Sequence, residues 1–447
     1  ENSGALQYVL IAGFLSKGHS RTQCRKRSFA MRFVSCIPNP GVGHSRMEHD
    51  AGLSSTRMMA AMRPTLMMIM LTLAVTGAAA EKEPVRLAVI GLTHTHVHWI
   101  FDSASRENFD IVGIVETTRS LAERYSRQHG FDLDLVYESI EDMVGAVTPE
   151  GVTAFGSTYE HLAVVEAAAP RGIHVMVEKP LAVSLEHAKA MQALANEHGI
   201  ELLTNYETTW YPSNHAVKSM VDRGEIGDVR KVIVNDGHRG PVKLGINQEF
   251  LDWLLDPVQN GAGALFDFGC YGANLMTWVM DGAMPTSVTA VVQQLQPDNH
   301  PQVDDEATII LTYPTAQAVI QASWNWPISR KDMAVYGLSG VAYADDRHTV
   351  RVRITDGDDD FEERTEVLPE RAPPYHDPFA LFAAVIRGEK ELAANDLSSL
   401  DNNMIVMEIL EAARESARTG ATVHLRTGAH LRTGAGGNFV TYWRSEK

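Results

Sequence analysis

Cysteine is almost absent from this chain. There are three in 447 residues, and of Cys24, Cys36 and Cys270 only the last lies in the main body of the sequence. A disulfide framework is therefore excluded as a source of stability, and the fold must rest on its apolar core. Positive charge is also scarce: 39 Lys and Arg stand against 56 Asp and Glu, a formal net charge of −17. That balance argues against a nucleic-acid partner and is ordinary for a soluble surface. Long apolar runs are missing as well. The best candidate, Leu66 to Ala80, is shorter than the ~20 residues that cross a bilayer.

What that run does resemble is a secretory signal. Arg63 gives it a positive start, the apolar core reaches Val75, and Gly77-Ala78-Ala79-Ala80 supplies the small residues of a cleavage site. We expect residues 62–80 to be a signal peptide, residues 1–61 a disordered leader or over-extended reading frame, and the location to be exported and periplasmic, or cytoplasmic if the signal is not used. At the other end, His424-Leu-Arg-Thr-Gly-Ala429 repeats once as His430 to Ala435, and residues 424–447 read as a flexible tail.

Between these ends the pattern changes once. From Val85 to Thr204, short apolar strands (Val85–Ile90, Phe109–Glu116, Gly151–Phe155, Ile173–Val177, Ile200–Thr204) alternate with helical stretches (His96–Glu107, Ser120–His129, His161–Pro170, Leu185–His198). This rhythm predicts a doubly wound parallel sheet, a Rossmann-type domain over 81–204. From Val229 onward, strand-like runs follow one another with few helices between, which predicts an α+β domain over 205–423 with a large, mostly antiparallel open sheet. Helices are expected over Leu265–Met280, Pro378–Arg387 and Ser398–Arg418, and the last of them can pack back on the first domain. The fold class is α/β.

A dinucleotide turn in such a domain usually reads G-x-G-x-x-G. Here it reads Gly91-Leu92-Thr93-His94-Thr95-His96, with threonine and histidine at the second and third glycine positions. Thr93 still offers an N–H and a hydroxyl, and a following helix N-terminus would attract phosphate. Glu116 closes the second strand, where a carboxylate accepts the ribose hydroxyls and repels a 2′-phosphate, so NAD is favoured over NADP. Ser157 and Thr158 follow the fourth strand and are placed beside the nicotinamide ribose. His94, His96 and His98 alternate, but no nearby cysteine or carboxylate is evident to complete a metal set, and no metal is assigned.

Two motifs carry the chemistry. Met176-Val177-Glu178-Lys179-Pro180 ends a buried strand in a lysine held extended by the following proline. Asp267-Phe-Gly-Cys-Tyr271 sets a carboxylate and a phenol four apart, on one face of a helix. Lysine, aspartate and tyrosine together form a proton-handling set of the kind that oxidises an alcohol beside a hydride acceptor. Lys179 is expected to draw the Tyr271 phenol toward its phenolate, and Asp267 to orient Lys179 or accept a substrate hydroxyl. Tyr206, His238 and Trp253, with Trp210, fall where they could wall a sugar site. Cys270 is out of phase with the pair and reads as a packing residue facing away.

With Asp222-Arg-Gly-Glu-Ile-Gly227 between them, these two motifs resemble the Gfo/Idh/MocA oxidoreductases over about Val85 to Arg418. The resemblance implies a nicotinamide cofactor bound by residues including Glu178 and Lys179, sugar or cyclitol substrates, and homo-oligomers formed through the open sheet. It assigns the family's lysine to Lys179 and its aspartate to Asp267. Tyr271 stands where most members have histidine, as in the glucose–fructose oxidoreductase branch. An exported nicotinamide enzyme would need to hold and regenerate its cofactor. Two alternatives follow: an NAD-dependent glycosidase or lyase that oxidises its sugar transiently, and a non-catalytic sugar-binding relic.

Overall fold

The computed structural model describes residues 83–425 except 356, 358 and 359. The segments expected to be leader and signal peptide, and all but the first two residues of the expected tail, lie outside the described residues. Among the described residues no helix is long and apolar enough to cross a membrane.

The first half alternates as its sequence predicts. Strands β1 (Val85–Ile90), β2 (Phe109–Val115), β3 (Val136–Tyr137), β4 (Gly151–Ala154), β5 (His174–Glu178) and β6 (Leu202–Asn205) are linked by helices α1 (Val97–Phe101), α2 (Arg119–His129), α3 (Ile140–Ala146), α4 (His161–Ala168) and α5 (Leu185–His198). The strands pair in parallel in the order β3-β2-β1-β4-β5-β6, the order of a dinucleotide-binding sheet. β1 and β4 are almost wholly buried apolar strands, as a sheet covered on both faces requires. Gly199 ends α5 at φ 64°, the left-handed turn that glycine adopts without a Cβ penalty.

Two expectations need correction here. The first helix is only Val97–Phe101, far shorter than His96–Glu107, because Asp102 and Ser103 break it and a 3-10 turn at Arg106–Asn108 takes over. A helix of little more than one turn has almost no macrodipole to offer a phosphate. The helix carrying the Asp267 motif is also interrupted: α9 (Ala264–Asp267) and α10 (Gly269–Val279) are separated at Phe268.

Among the described residues the second sheet has nine strands. β7 (Lys231–Gly237), β8 (Ser287–Gln293), β9 (Glu306–Thr312), β10 (Gln317–Ser323), β11 (Arg330–Tyr336), β12 (Gly340–Ala344), β13 (Thr349–Thr355), β14 (Phe361–Val367) and β15 (Val423–His424) lie in the order β14-β13-β12-β11-β7-β10-β9-β8-β15. Only the β7–β10 pair is parallel. Helices α6 (Pro212–Asp222), α7 (Pro241–Leu244), α8 (Gln248–Leu254), α11 (Pro378–Ile386) and α12 (Leu400–Thr419) complete the chain. Alternate residues of β9 and β10 are buried, so this sheet has one face inward and one open.

What positions the site is a shared core. Val177 at the end of β5, with Leu181 and Ala182 just beyond it, packs in one apolar body with Phe266, Tyr271, Ile320 and Trp324 from the second half. Phe379 and Phe382 of α11 belong to a second body with Leu87, Phe109 and Met176. Chain that is late in sequence thus braces the first sheet.

Candidate active site

The turn after β1 is built for close backbone approach. Gly91 has φ +80°, and a Cβ there would stand 2.8 Å from the Gly156 nitrogen. His94 N–H donates to Phe155 O at 2.8 Å, and the Thr93 hydroxyl to the same oxygen at 3.4 Å. The two strand ends are thereby tied together, and Thr93 spends its hydroxyl on the protein. Glu116 is buried, and its two oxygens accept from Leu92 N–H (3.1 Å) and Thr118 N–H (2.7 Å). Each oxygen keeps a second lone pair for a ribose hydroxyl. The Ser157 hydroxyl lies between Gln259 (2.8 Å) and Glu160 (3.1 Å), and Thr158 is buried beside it. The tight β1 turn that Gly91 permits against Gly156, with a carboxylate just past the end of β2, fits a dinucleotide-binding turn.

The histidines do not behave as their alternation implied. His98 pairs with His129 at 2.8 Å, away from the others. His94 and His96 lie together, and Glu178 joins them: the three offer ligand atoms within 4.8 Å of one another. A carboxylate therefore does complete the set, contrary to the sequence reading, because β5 ends beside the β1 turn. Existing hydrogen bonds account for the cluster. His96 Nδ1 meets Glu178 Oε2 at 2.9 Å, His94 Nδ1 accepts the His96 N–H at 3.1 Å, and Asn205 Nδ2 donates to Glu178 Oε1 at 2.7 Å. Glu178 and Asn205 are register partners on β5 and β6, so their side chains share a face. His94 also stacks on Trp253, 5.8 Å between centroids. Burial holds His94 neutral, well below the usual histidine range, with His96 and Lys179 adding to the shift.

One residue past β5, Lys179 is buried and joined to Pro180 by a cis peptide bond. Its Nζ donates to the Asp267 backbone oxygen at 3.0 Å and forms an ion pair with Asp267 Oδ1. Trp324 Nε1 donates to Asp267 Oδ2 at 3.0 Å. The lysine ammonium sits 5.2 Å from the centre of the Tyr271 ring, over its face rather than at its hydroxyl. Lys179, Asp267 and Tyr271 thus converge.

The phenol hydroxyl has a different neighbour. Lys331 on β11 approaches it at 3.5 Å and pairs with Glu207. Glu207 accepts from Tyr211 Oη at 2.5 Å. Lys331, Glu207 and Trp324 were not visible in the sequence, because sheet register and a loop bring them in from 53 to 64 residues either side of Tyr271 and Asp267. The order β11-β7-β10 is the signal that would have found Lys331 and Trp324, and order is not written in local pattern.

The electrostatics follow from dry surroundings. Burial would push Asp267 up, but the Lys179 charge and hydrogen bond, with His238 and Trp324, hold it below the ordinary carboxylate range. Burial would pull Lys179 down, and Asp267 overcomes it, so the ammonium keeps its proton. Tyr271 moves the other way. Burial, then Glu207, Asp236, Cys270 and Asp267, raise the phenol well above its usual range. The expectation that Lys179 favours the phenolate is therefore reversed, since that lysine's charge is taken up by Asp267. Cys270 does not face away either: its thiol donates to the same Asp267 carbonyl at 3.3 Å. The break at Phe268 changes the helical phase.

Of the candidate wall residues, Tyr206 packs edge-on to Tyr271, 5.5 Å between centroids. His238 meets the ring of Phe268 at 4.8 Å, and burial lowers its imidazole to about 4. Trp253 belongs to the His94 end with Phe250. Trp210 is spent on Asn205, 3.0 Å away. The Tyr206 hydroxyl and Trp253 Nε1 have no hydrogen-bond partner among the described residues.

A dinucleotide-ordered sheet joined to an open sheet, with lysine, carboxylate and phenol brought together, is an arrangement suited to nicotinamide-dependent oxidoreduction. Residues 85–206 match the oxidoreductase family with an NAD-binding Rossmann fold, residues 214–343 match the GFO/IDH/MocA C-terminal domain, and the chain belongs to the GFO/IDH/MocA family. It is similar to trans-1,2-dihydrobenzene-1,2-diol dehydrogenase of Oryctolagus cuniculus, 27% identical over 54% of this chain and 69% of that one. The Homo sapiens enzyme of that name is matched over 63% of its length. D-xylose 1-dehydrogenase [NADP(+)] of Haloarcula marismortui is 23% identical over 77% of this chain and 94% of that one. Among solved structures, aldose-aldose oxidoreductase from Caulobacter crescentus complexed with glycerol superposes with a TM-score of 0.65 at 24% identity, covering 76% of this chain and all of that one. An inositol dehydrogenase homolog complexed with NAD+ from Azotobacter vinelandii gives 0.65 at 20% identity, covering 77% and 98%. At these identities the superpositions show the shared fold.

Proposed function

We propose that this protein interconverts a carbinol and a carbonyl on a sugar or polyol, with NAD as cofactor. The observation that carries the reading is the Lys179–Asp267 pair seated over the face of Tyr271, one residue beyond the Glu178 that braces the nucleotide turn. Nicotinamide, when bound, supplies the two-electron hydride chemistry. The chain supplies the proton and the orientation. Lys179 and Tyr271 both hold their protons at neutral pH, so both stand as donors to a carbonyl oxygen, and its reduction is the direction for which the resting site is prepared. Oxidation requires one of them to give up its proton first, so its rate should rise with pH.

The relatives' names support this reading, being dehydrogenases, reductases and oxidoreductases of sugars, diols and inositol. They lend nothing to the glycosidase or the relic. Tyr271 favours the glucose–fructose oxidoreductase branch, and Glu116 favours NAD over NADP. The outward row Thr289, Ile310, Val319, Ile233, Ala334 and Tyr343 runs across the second sheet in register and is at least partly exposed. That unbroken face supports a homo-oligomer. Export rests on the 62–80 pattern alone. The test is direct: denature the purified protein, identify released nucleotide by mass spectrometry, and assay D-xylose and myo-inositol for NADH formation across pH. NAD release with pH-dependent turnover is the expected result. Absence of any nucleotide, with no NAD+ binding by titration, would return the relic.

A further inference from the structure

One acid in this site is unexplained by the chemistry above. Asp236 on β7 is 1% exposed, and neither carboxyl oxygen has a hydrogen-bond partner among the described residues. Folded proteins seldom leave such a group unpaired, and one that is calls for a specific explanation, such as a ligand, a reaction or a bound water. Its register partner across the ladder is Lys331, so the two side chains leave the same face of the sheet. That is the face on which Lys331 reaches the Tyr271 hydroxyl. The other register partner is Ala322 on β10, whose small side chain crowds Asp236 little. Four charged groups act on it: Lys331, Glu207, Lys179 and Asp267. Burial pushes its carboxyl well above the usual range, Lys331 opposes, and Glu207 adds to the rise. A neutral carboxylic acid has one donor and one free acceptor, which matches two adjacent hydroxyls.

Resting on the dehydrogenase reading, we propose that Asp236 binds the substrate by pairing with two neighbouring hydroxyls beside the reacting carbon, and so selects polyhydroxylated substrates. Tyr206, edge-on to Tyr271, has a hydroxyl that is likewise unpartnered among the described residues. A site that leaves a buried acid waiting for hydroxyls discriminates strongly against substrates lacking them.

The test compares wild type, Asp236→Asn and Asp236→Leu in the full chain, with D-xylose and myo-inositol as probes and NAD+ saturating. Asp236→Leu should lose about thirtyfold or more in kcat/KM on whichever probe the wild type oxidises, carried by KM, while Asp236→Asn, which keeps a donor and an acceptor, should lose less than about fivefold. NAD+ affinity by calorimetry should be unchanged in both. The melting temperature of Asp236→Leu should rise, since an unpaired buried acid has been removed. An unchanged KM in Asp236→Leu would overturn the assignment, as would a lowered melting temperature with the loss confined to kcat, which marks a merely structural acid. If the wild type binds NAD+ but oxidises neither probe, the dehydrogenase reading falls and this assignment with it.

Discussion

At the scale of the residue, the site is a sum of dry charges that settle one another. Lys179 is tolerable in a buried position because Asp267 pays back its desolvation, and Asp267 because Lys179 and Trp324 occupy its oxygens. The sequence displayed Lys179, Asp267 and Tyr271 because each sits in a short contiguous motif. It hid Lys331, Glu207 and Trp324 because their neighbours come from other strands and loops, and a single chain of letters carries no register. It also misled about Tyr271, since a lysine nearby lowers a phenol only if that lysine is not already neutralised. Replacing Lys179 by methionine tests the centre. Asp267 would be left charged and unpaired, so stability should fall by about 3 kcal/mol. Turnover should drop by about 10²–10⁴-fold, with NAD+ affinity little changed. Denaturant melts and a nucleotide titration on the same sample separate these effects, and an unaltered rate would remove Lys179 from the mechanism.

At the scale of the element, legibility followed the strength of the local pattern. Strands such as β1 and β10, and helix α5, announce themselves by apolar periodicity and by a capping glycine. β14 reads FEERTEV and is exposed along its whole length, so an edge strand held by ladder hydrogen bonds leaves no alternation to read. β3, two residues long, is below any pattern's reach, and α6 hides its start behind Pro212 at the first helical position. The element that matters most for chemistry is α10, because its depth sets where Tyr271 stands. Gly272 lets it lie close to the sheet: a Cβ there would meet Ile320, with Cγ1 at 2.8 Å. Gly272→Ala should lift the helix, cost about 1–3 kcal/mol of stability, and reduce turnover by separating Tyr271 from Lys179 and Lys331. Thermal melts and steady-state rates check both. Full activity with an unchanged melting temperature would show that α10 has room to spare.

At the scale of the whole molecule, the two sheets were legible as classes while their strand orders were not, except where parallel βαβ units dictate neighbours. The shared core between them also carries a consequence for pH. His161, His215 and His238 are each lowered from 6.5 to about 4, with burial the largest cause. An unfolded chain protonates these rings below about 6.5, whereas the fold keeps them neutral until about 4, so the unfolded state binds more protons in that window. Stability must therefore fall as pH drops through it, by up to about 3 kcal/mol for each ring. Asp236, Asp304 and Asp396 are raised by burial and pull the other way, because each takes its proton in the fold before it would in the open chain. They offset part of that decline, while His94, lowered by burial as well, and Glu207 and Asp267, held low by Lys331 and Lys179 against the pull of burial, add to it. His215 isolates the effect, since its ring packs against Trp278 and its Nε2 meets Thr209 O at 2.8 Å, away from Lys179 and Asp267. Melting temperature measured from pH 7.5 to 4.5 should decline most steeply below about 6.5, and His215→Gln, which cannot take up the charge, should flatten part of that decline. An identical slope in the variant would mean that His215 charges in the fold as readily as in the open chain, and that its burial is not the source of acid sensitivity.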